Sequence, residues 1–216
     1  MRNKGTGLIF LGLLLIAAAL FLTAYNMYDD QRAGQSVMQA IDQLGDSLLP
    51  ETPKETATEP SGEREAPAIY DQTTLPDYVL CPEMEMPLET INGMDYIGVL
   101  QIPSLELELP IASEWNYPNL KAAPCRYSGS AYQNNLVLCA HNYASHFGNL
   151  KNLHIGDAVT FTDMDGNLFT YQVAELETLP PQATEEMENG DWDLTLFTCT
   201  VGGQSRVTVR CTAEQS

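Results

Sequence analysis

Residues 7–25 read GLIFLGLLLIAAALFLTAY, nineteen residues without a charge. At about 1.5 Å rise per residue, a helix of this length nearly matches a hydrocarbon core about 30 Å thick. No other stretch of the chain is comparably apolar, so a multi-span transporter is excluded and everything that follows must fold in water. Arg2 and Lys4 precede the run, while Asp29 and Asp30 follow it, ahead of Arg32. The positive-inside bias predicts a cytoplasmic tail at 1–6, a single span at 7–25, and the remainder of the chain outside the cell membrane. The competing reading is a signal peptide cleaved near Leu22-Thr23-Ala24. The apolar run is longer than a usual signal-peptide core, which favours an uncleaved anchor.

Residues 26–79 read as a stalk. In its first half Val37, Ile41, Leu44 and Leu48 recur at spacings of 4, 3 and 4, one apolar stripe on a helix that Pro50 would end. Such a helix either lies on the following domain or spaces it from the membrane. The segment ETPKETATEPSGEREAPA, rich in Glu, Pro and Thr, cannot bury enough apolar surface to order itself and reads as a linker. The stalk contributes to a strong acidity: 29 acidic against 10 basic residues, with a pI near 4.2. That balance excludes nucleic acid as a partner, because neutralising phosphates requires clustered Lys and Arg.

Residues 80–216 have the texture of an all-β domain. Short apolar runs alternate with turn residues, and strands are expected near 96–102, 107–112, 136–141, 158–162, 168–177, 194–199 and 206–211. Asp163-Met-Asp-Gly-Asn167 reads as a hairpin turn; a calcium loop would need Glu where Ala174 stands. One short helix is expected around 147–153. Seven or eight strands in such a length suggest a closed or nearly closed barrel.

Strand alternation sorts the side chains further. If Leu136/Leu138, Leu194/Leu196 and Val207/Val209 face the core, then His141, Cys199 and Arg206 all leave it and can meet in one groove on the barrel wall. A thiolate is the reactive form of cysteine, stabilised by a neighbouring cation. Imidazole can pass a proton to a departing amine near neutral pH. A guanidinium holds a carbonyl oxygen as negative charge develops on it. Taken alone, Cys199 reads as readily as a buried strand cysteine. Alternation does not distinguish Arg206 from Arg210, which shares its face. No Cys-x-x-Cys pair is present, so neither structural zinc nor a thiol oxidoreductase is indicated.

The surrounding residues carry a resemblance. Thr195-Leu-Phe-Thr-Cys-Thr200 resembles the TLxTC signature of sortases, the membrane-anchored cysteine transpeptidases of Gram-positive bacteria. Arg206 opens the next strand, as the active-site arginine of that family does. Leu138-Cys-Ala-His-Asn142 is similar to the segment presenting the family's histidine. His146–Asp157 resembles its "F..L..L..GD" helix and turn, and Ile97–Pro103 with Leu109–Ile111 its opening strand pair. The resemblance spans about 95–213, in the family's order.

The resemblance implies an eight-stranded sortase-type β-barrel with one or two short helices, preceded by the membrane helix and the stalk. It implies that Cys199 attacks a backbone carbonyl in an LPxTG-like sorting signal near the C-terminus of a surface protein, forming a thioacyl enzyme. His141 would protonate the leaving amine and Arg206 would bind the substrate backbone or the oxyanion. An amine from a cell-wall precursor or a pilin lysine would then resolve the intermediate. No cofactor and no metal are required. The family pattern selects Arg206 over Arg210.

Asn142 and Thr198 are expected either to shape the substrate site or to satisfy strand ends, and Trp192 either to wall the groove or to anchor its loop. The loop 180–193 lies where the family reads the signal. Its acids Glu185, Glu186 and Glu188 are read as repelling wrong peptides rather than holding calcium. His146 and His154 are expected at the surface. The short connection from Cys199 to Arg206 and the long N-terminal extension suggest a class B- or D-like member. Cys81, Cys125, Cys139 and Cys211 are either disulfide-bonded, as an external domain permits, or free; buried thiols are expected at Cys139 and Cys211. Two other activities fit parts of this pattern: a hydrolytic cysteine peptidase, and a binding ectodomain whose Cys and His are structural.

Overall fold

The computed structural model describes residues 3–48 and 75–214. The expected acidic linker falls outside these residues. The chain opens with one continuous helix, α1 (Asn3–Leu48). Its most apolar 18-residue window has a mean hydropathy of 2.6. Leu8, Phe10, Leu14 and Leu20 are all more than half exposed, with no protein surface against them. This half of the helix has the length and apolarity of a single membrane anchor.

The same helix then becomes part of the folded domain. Val37 and Leu44 are buried and Ile41 is packed beside them, so these three residues of the stripe read from the sequence form a docking face; the Leu48 side chain lies outside what the structure describes. Ala33 and Ala40 share that face and let the helix lie close. Burying a Val or Leu contributes about 1.5–3 kcal/mol, enough for a few such residues to hold the stem in place.

The domain contains the helices α2 (Asp77–Leu80), α3 (Tyr117–Ala122) and α4 (Thr184–Glu188). Its strands are β1 (Glu89–Ile91), β2 (Met94–Ile102), β3 (Leu107–Ala112), β4 (Cys125–Ser128), β5 (Leu136–Ala140), β6 (Ala158–Asp163), β7 (Leu168–Leu179), β8 (Leu194–Cys199) and β9 (Arg206–Ala213). The sheet order is β1-β2-β3-β4-β5-β8-β9-β7-β6, and β6 pairs back onto β2. Eight strands, β2 to β9, therefore form a closed ring, and β1 is a short ninth strand on the edge of β2. Closure leaves the ring no open edge. At the closing seam Gly98 is obligatory: a Cβ there would lie 2.3 Å from the Thr162 carbonyl oxygen and 2.5 Å from the Phe161 ring.

All seven expected strands are present. β1 and β4 were not expected, nor were α2, α3 and α4. The helix expected at 147–153 is a series of turns ending in a 3-10 turn at Leu150–Asn152. The Asp163 hairpin is a turn: the buried Asp163 carboxylate accepts from the Asp165 and Asn167 backbone N–H groups, from Asn167 Nδ2 and from Tyr132 Oη at 2.7 Å.

Leu100, Ile102, Leu109, Ile111, Leu136, Leu138, Phe161, Leu194, Leu196 and Val209 fill the barrel interior. Two patches on its outside are also covered. The stem places Ala40 and Leu44 over Tyr96, Val99, Ile91 and Ala123. On the other, Met187 of α4 covers Val137, Cys139 and Phe197, with Cys125 alongside. This second covered patch holds the candidate site.

Candidate active site

β5 and β8 run parallel, with Ala140 beside Thr198, and β8 and β9 run antiparallel, with Cys199 directly opposite Arg206. One residue beyond Ala140, His141 comes alongside Cys199. All three side chains line one groove of about 280 Å³. Cys199 is partly exposed. A hollow of about 700 Å³ opens elsewhere, between the stem and β3. Its titratable groups are the carboxylates Asp30, Glu106 and Glu108, with no nucleophile among them, so size alone does not mark the chemistry.

The groove walls are apolar and aromatic. Tyr127 stands edge-on to Phe197 at 5.2 Å and stacks on Trp115 at 5.8 Å. Tyr117 and Leu120 of α3 also line the groove, as do Pro180, Pro181, Ala183, Thr184 and Met187. The loop 180–193 thus contributes through its first half.

The burial of His141 pushes its pKa below the usual imidazole value, and Lys121 adds to this while Asp29 opposes it. Its Nε2 is buried with no hydrogen-bond partner among the described residues. The Tyr143 ring packs against it at 4.9 Å. Arg206 Nη1 donates to the carbonyls of Gly203 and Ser205, each at 3.2 Å, which holds the guanidinium at the rim of the groove. Arg210 is placed differently. It is 3 % exposed, and its guanidinium donates to Glu177 Oε1 at 2.7 Å, the Met187 carbonyl at 3.0 Å, Thr195 Oγ1 at 3.0 Å and the Glu186 carbonyl. These bonds pin α4 to the sheet and leave Arg210 no reach into the groove. The tie that strand alternation left between the two arginines is broken by α4, which covers only one of them.

Three expected substrate-binding residues do not line the groove. Thr198 is buried, and its hydroxyl donates to the Ala140 carbonyl at 2.8 Å, tying β8 to β5. Asn142 is exposed beyond the end of β5. Trp192 lies two residues before the start of β8, and Cys199 ends that strand, about 17 Å further along at strand rise. Beside Trp192, Asp193 secures the loop, accepting from the Ala213 N–H at 2.6 Å. His154 is exposed as expected, but His146 is fully buried. Sequence reading missed this because a turn, not a helix, carries it inward.

All five cysteines are free thiols. Cys125 and Cys139 face each other across β4 and β5. Burial raises the pKa of Cys125 and Cys211 to about 12 and raises that of Cys139 as well, so none of these three supplies a thiolate near neutral pH.

A family model of the sortase domain matches residues 100–214, more than half of the chain. The chain belongs to the sortase family. Sortase A of Bacillus anthracis is 28% identical over 116 residues, which are 51% of this chain and 55% of that protein. The chain thus matches about half the length of this curated relative. Two solved sortases share the fold, each with a TM-score of 0.52. Sortase A from Corynebacterium diphtheriae is 23% identical over 57% of this chain and 62% of its own. The sortase D5 transpeptidase of Clostridium perfringens is 22% identical over 64% and 88%. Sortases are cysteine transpeptidases, and the TLxTC segment of this member lies on β8 with its cysteine in the groove.

Proposed function

We propose that this sortase is an active transpeptidase whose nucleophile is Cys199, with His141 as proton carrier and Arg206 as the oxyanion or backbone-binding cation. The observation that carries the reading is the convergence of these three side chains in one groove.

The lowered pKa of His141 makes its free imidazole neutral at pH 7. It takes the thiol proton as Cys199 Sγ attacks the scissile carbonyl, and the oxyanion forms beside Arg206. The tetrahedral species collapses to a thioester, and the imidazolium passes its proton to the departing amine. In the second half an incoming amine attacks the thioester. Its proton goes to His141 and returns to the sulfur as the thiolate leaves.

The substrate we propose is the C-terminal sorting signal of a secreted surface protein or pilin, LPxTG-like in sequence, which the aromatic and proline-lined groove suits. The acceptor is a cell-wall precursor amine or a pilin lysine. We place the enzyme as a single-pass protein with residues 1–6 in the cytoplasm and the barrel outside, where such substrates emerge. The connection from Cys199 to Arg206 is a tight turn, with Thr200 N–H donating to the Ser205 carbonyl at 2.9 Å, which supports a compact class B- or D-like form.

Intact-mass analysis with a panel of LPxTG-like peptides tests this. A mass increase on wild type and not on Cys199→Ala, equal to the N-terminal acyl part of a peptide, is expected. Adding an amine should convert the adduct to the amide product. Product that stays hydrolytic whatever the amine would make the protein a peptidase instead. No adduct across the panel, together with a thiol pKa at Cys199 like that of a free cysteine, would favour a binding ectodomain.

A further inference from the structure

Among the described residues, the stem helix hydrogen-bonds to the domain at Ser145, in the loop that follows His141. Asp30, one turn beyond the apolar run, accepts through Oδ1 from the Ser145 backbone N–H at 3.1 Å and from the Ser145 hydroxyl at 2.7 Å. The Asp30 carbonyl lies 3.2 Å from the same hydroxyl. One helical turn on, Gly34 makes the approach possible: a Cβ there would stand 3.3 Å from Ser145 Cβ. Asp30, Gly34, Val37, Ile41 and Leu44 lie on one face, so this polar clamp and the apolar docking contacts form a continuous seam.

Ser145 is four residues from His141, and the loop between them is tightly closed. Phe147 N–H donates to the His141 carbonyl at 3.2 Å, and both His146 N–H and Gly148 N–H donate to the Tyr143 carbonyl, at 3.0 and 2.9 Å. The Tyr143 ring lies between the His141 ring at 4.9 Å and the buried His146 ring at 5.5 Å. A Cβ on Gly148 would come within 2.6 Å of the Asn142 carbonyl. A loop this compact moves as a unit, so whatever holds Ser145 also sets His141.

We propose that Asp30 of the juxtamembrane stem is a positioning residue for His141, acting through its hydrogen bonds to Ser145. The membrane-proximal helix is then a working part of the active site rather than a spacer. This rests on the reading of His141 as the proton carrier. Its chemical content is specific: an acceptor oxygen at position 30 is needed, and a negative charge is not.

The test uses the full chain in detergent micelles or nanodiscs, comparing wild type with Asp30→Leu, Asp30→Asn and Ser145→Ala. Deuterium exchange across residues 141–148 and the kcat and KM for a peptide the wild type cleaves are measured together. Asp30→Leu and Ser145→Ala should accelerate exchange in this loop and lower kcat at least tenfold at unchanged KM. Asp30→Asn, which keeps Oδ1 as an acceptor, should stay within about twofold of wild type in both. Wild-type exchange and kcat in Asp30→Leu would overturn the proposal. So would Asp30→Asn failing as Asp30→Leu does, or exchange rising evenly over the whole barrel, the signature of mere destabilisation. If wild type cleaves no peptide, the transpeptidase reading fails, while the exchange measurement still decides whether Asp30 holds the loop.

Discussion

Cys199 and Arg206 are direct partners across the β8–β9 ladder, seven residues apart in sequence and joined by a turn in which Gly202 and Gly203 both have positive φ. The pairing puts the thiol and the guanidinium on one face of the sheet with no intervening side chain. Cys199→Ala should abolish thioacyl formation without changing the thermal unfolding midpoint by more than a few degrees. Arg206→Ala should lower kcat/KM for peptide cleavage by about 10²–10³-fold, the usual cost of losing one oxyanion donor. Arg206→Lys should recover only part of this, because an ammonium cannot reproduce the planar fork. Steady-state kinetics with one peptide separates these outcomes.

Arg210 sits on the same strand face and has a different task. Its guanidinium is nearly saturated by Glu177, Thr195 and two carbonyls of α4, with the Thr195 and Met187 acceptors buried and the other two partly so. Arg210→Ala leaves buried acceptors unpaired and unpins the helix that carries Met187, so it should cost about 2–4 kcal/mol in chemical denaturation. Loss of the groove wall should raise KM more than it lowers kcat in whatever fraction stays folded. That pattern is the reverse of the one expected for Arg206, and measuring both variants under the same conditions distinguishes an arginine facing substrate from one holding structure.

The pH dependence of turnover follows from the surroundings of His141. Burial disfavours its imidazolium, Lys121 disfavours it further, and Asp29 favours it. The neutral form must be present for the thiol proton to be taken. The acid limb of kcat/KM should therefore fall below the usual histidine value of about 6.5. Lys121→Ala removes a repelling charge, so the limb should move to higher pH. Asp29→Asn removes an attracting one, so it should move to lower pH. Opposite displacements in these two variants, recorded as full pH–rate profiles, are the expected result.

How far the sequence exposes this architecture depends on the kind of signal. Residue type alternates along Leu194–Cys199 and Arg206–Ala213 although burial extends to both faces; that alternation allowed His141, Cys199 and Arg206 to meet off the core, and the family resemblance selected Arg206 over Arg210. The pairing of Cys125–Ser128 with β3 rests on a single register position, Ala112 with Cys125, too short to leave a pattern. The residues that wall the groove come from such segments. Trp115, Tyr117 and Leu120 belong to or adjoin α3, whose start was legible in principle: Asn116 caps it, accepting from Asn119 N–H at 2.8 Å, and Pro118 occupies its first turn. Trp192 was misplaced for a geometric reason. Proximity to Cys199 in sequence is distance along a strand, and an extended strand carries neighbours apart. Asp30 left no local signal, because its partner is 115 residues away.

His146 makes the acid stability of the domain testable. It is fully buried against Tyr143, and neither ring nitrogen has hydrogen-bond geometry with a described residue. Burial, with the neighbouring His141, pushes its pKa down to about 4, against the pull of Asp30 and the Ala122 backbone. The unfolded chain, with a histidine near 6.5, binds a proton that the folded one refuses between these two values. Stability from this group is therefore complete above about pH 6.5 and is lost as pH falls toward 4. The difference of about 2.5 pH units corresponds to roughly 3 kcal/mol. His146→Phe keeps a flat ring in the same space and removes the titration. Urea unfolding at pH 7.5 and at pH 4.5 should show the wild type losing roughly 2–3 kcal/mol more than the variant over this interval, whatever the carboxylates common to both contribute. Parallel pH dependence in the two proteins would mean that the imidazole meets water or a partner in solution and is not sealed behind the Tyr143 ring.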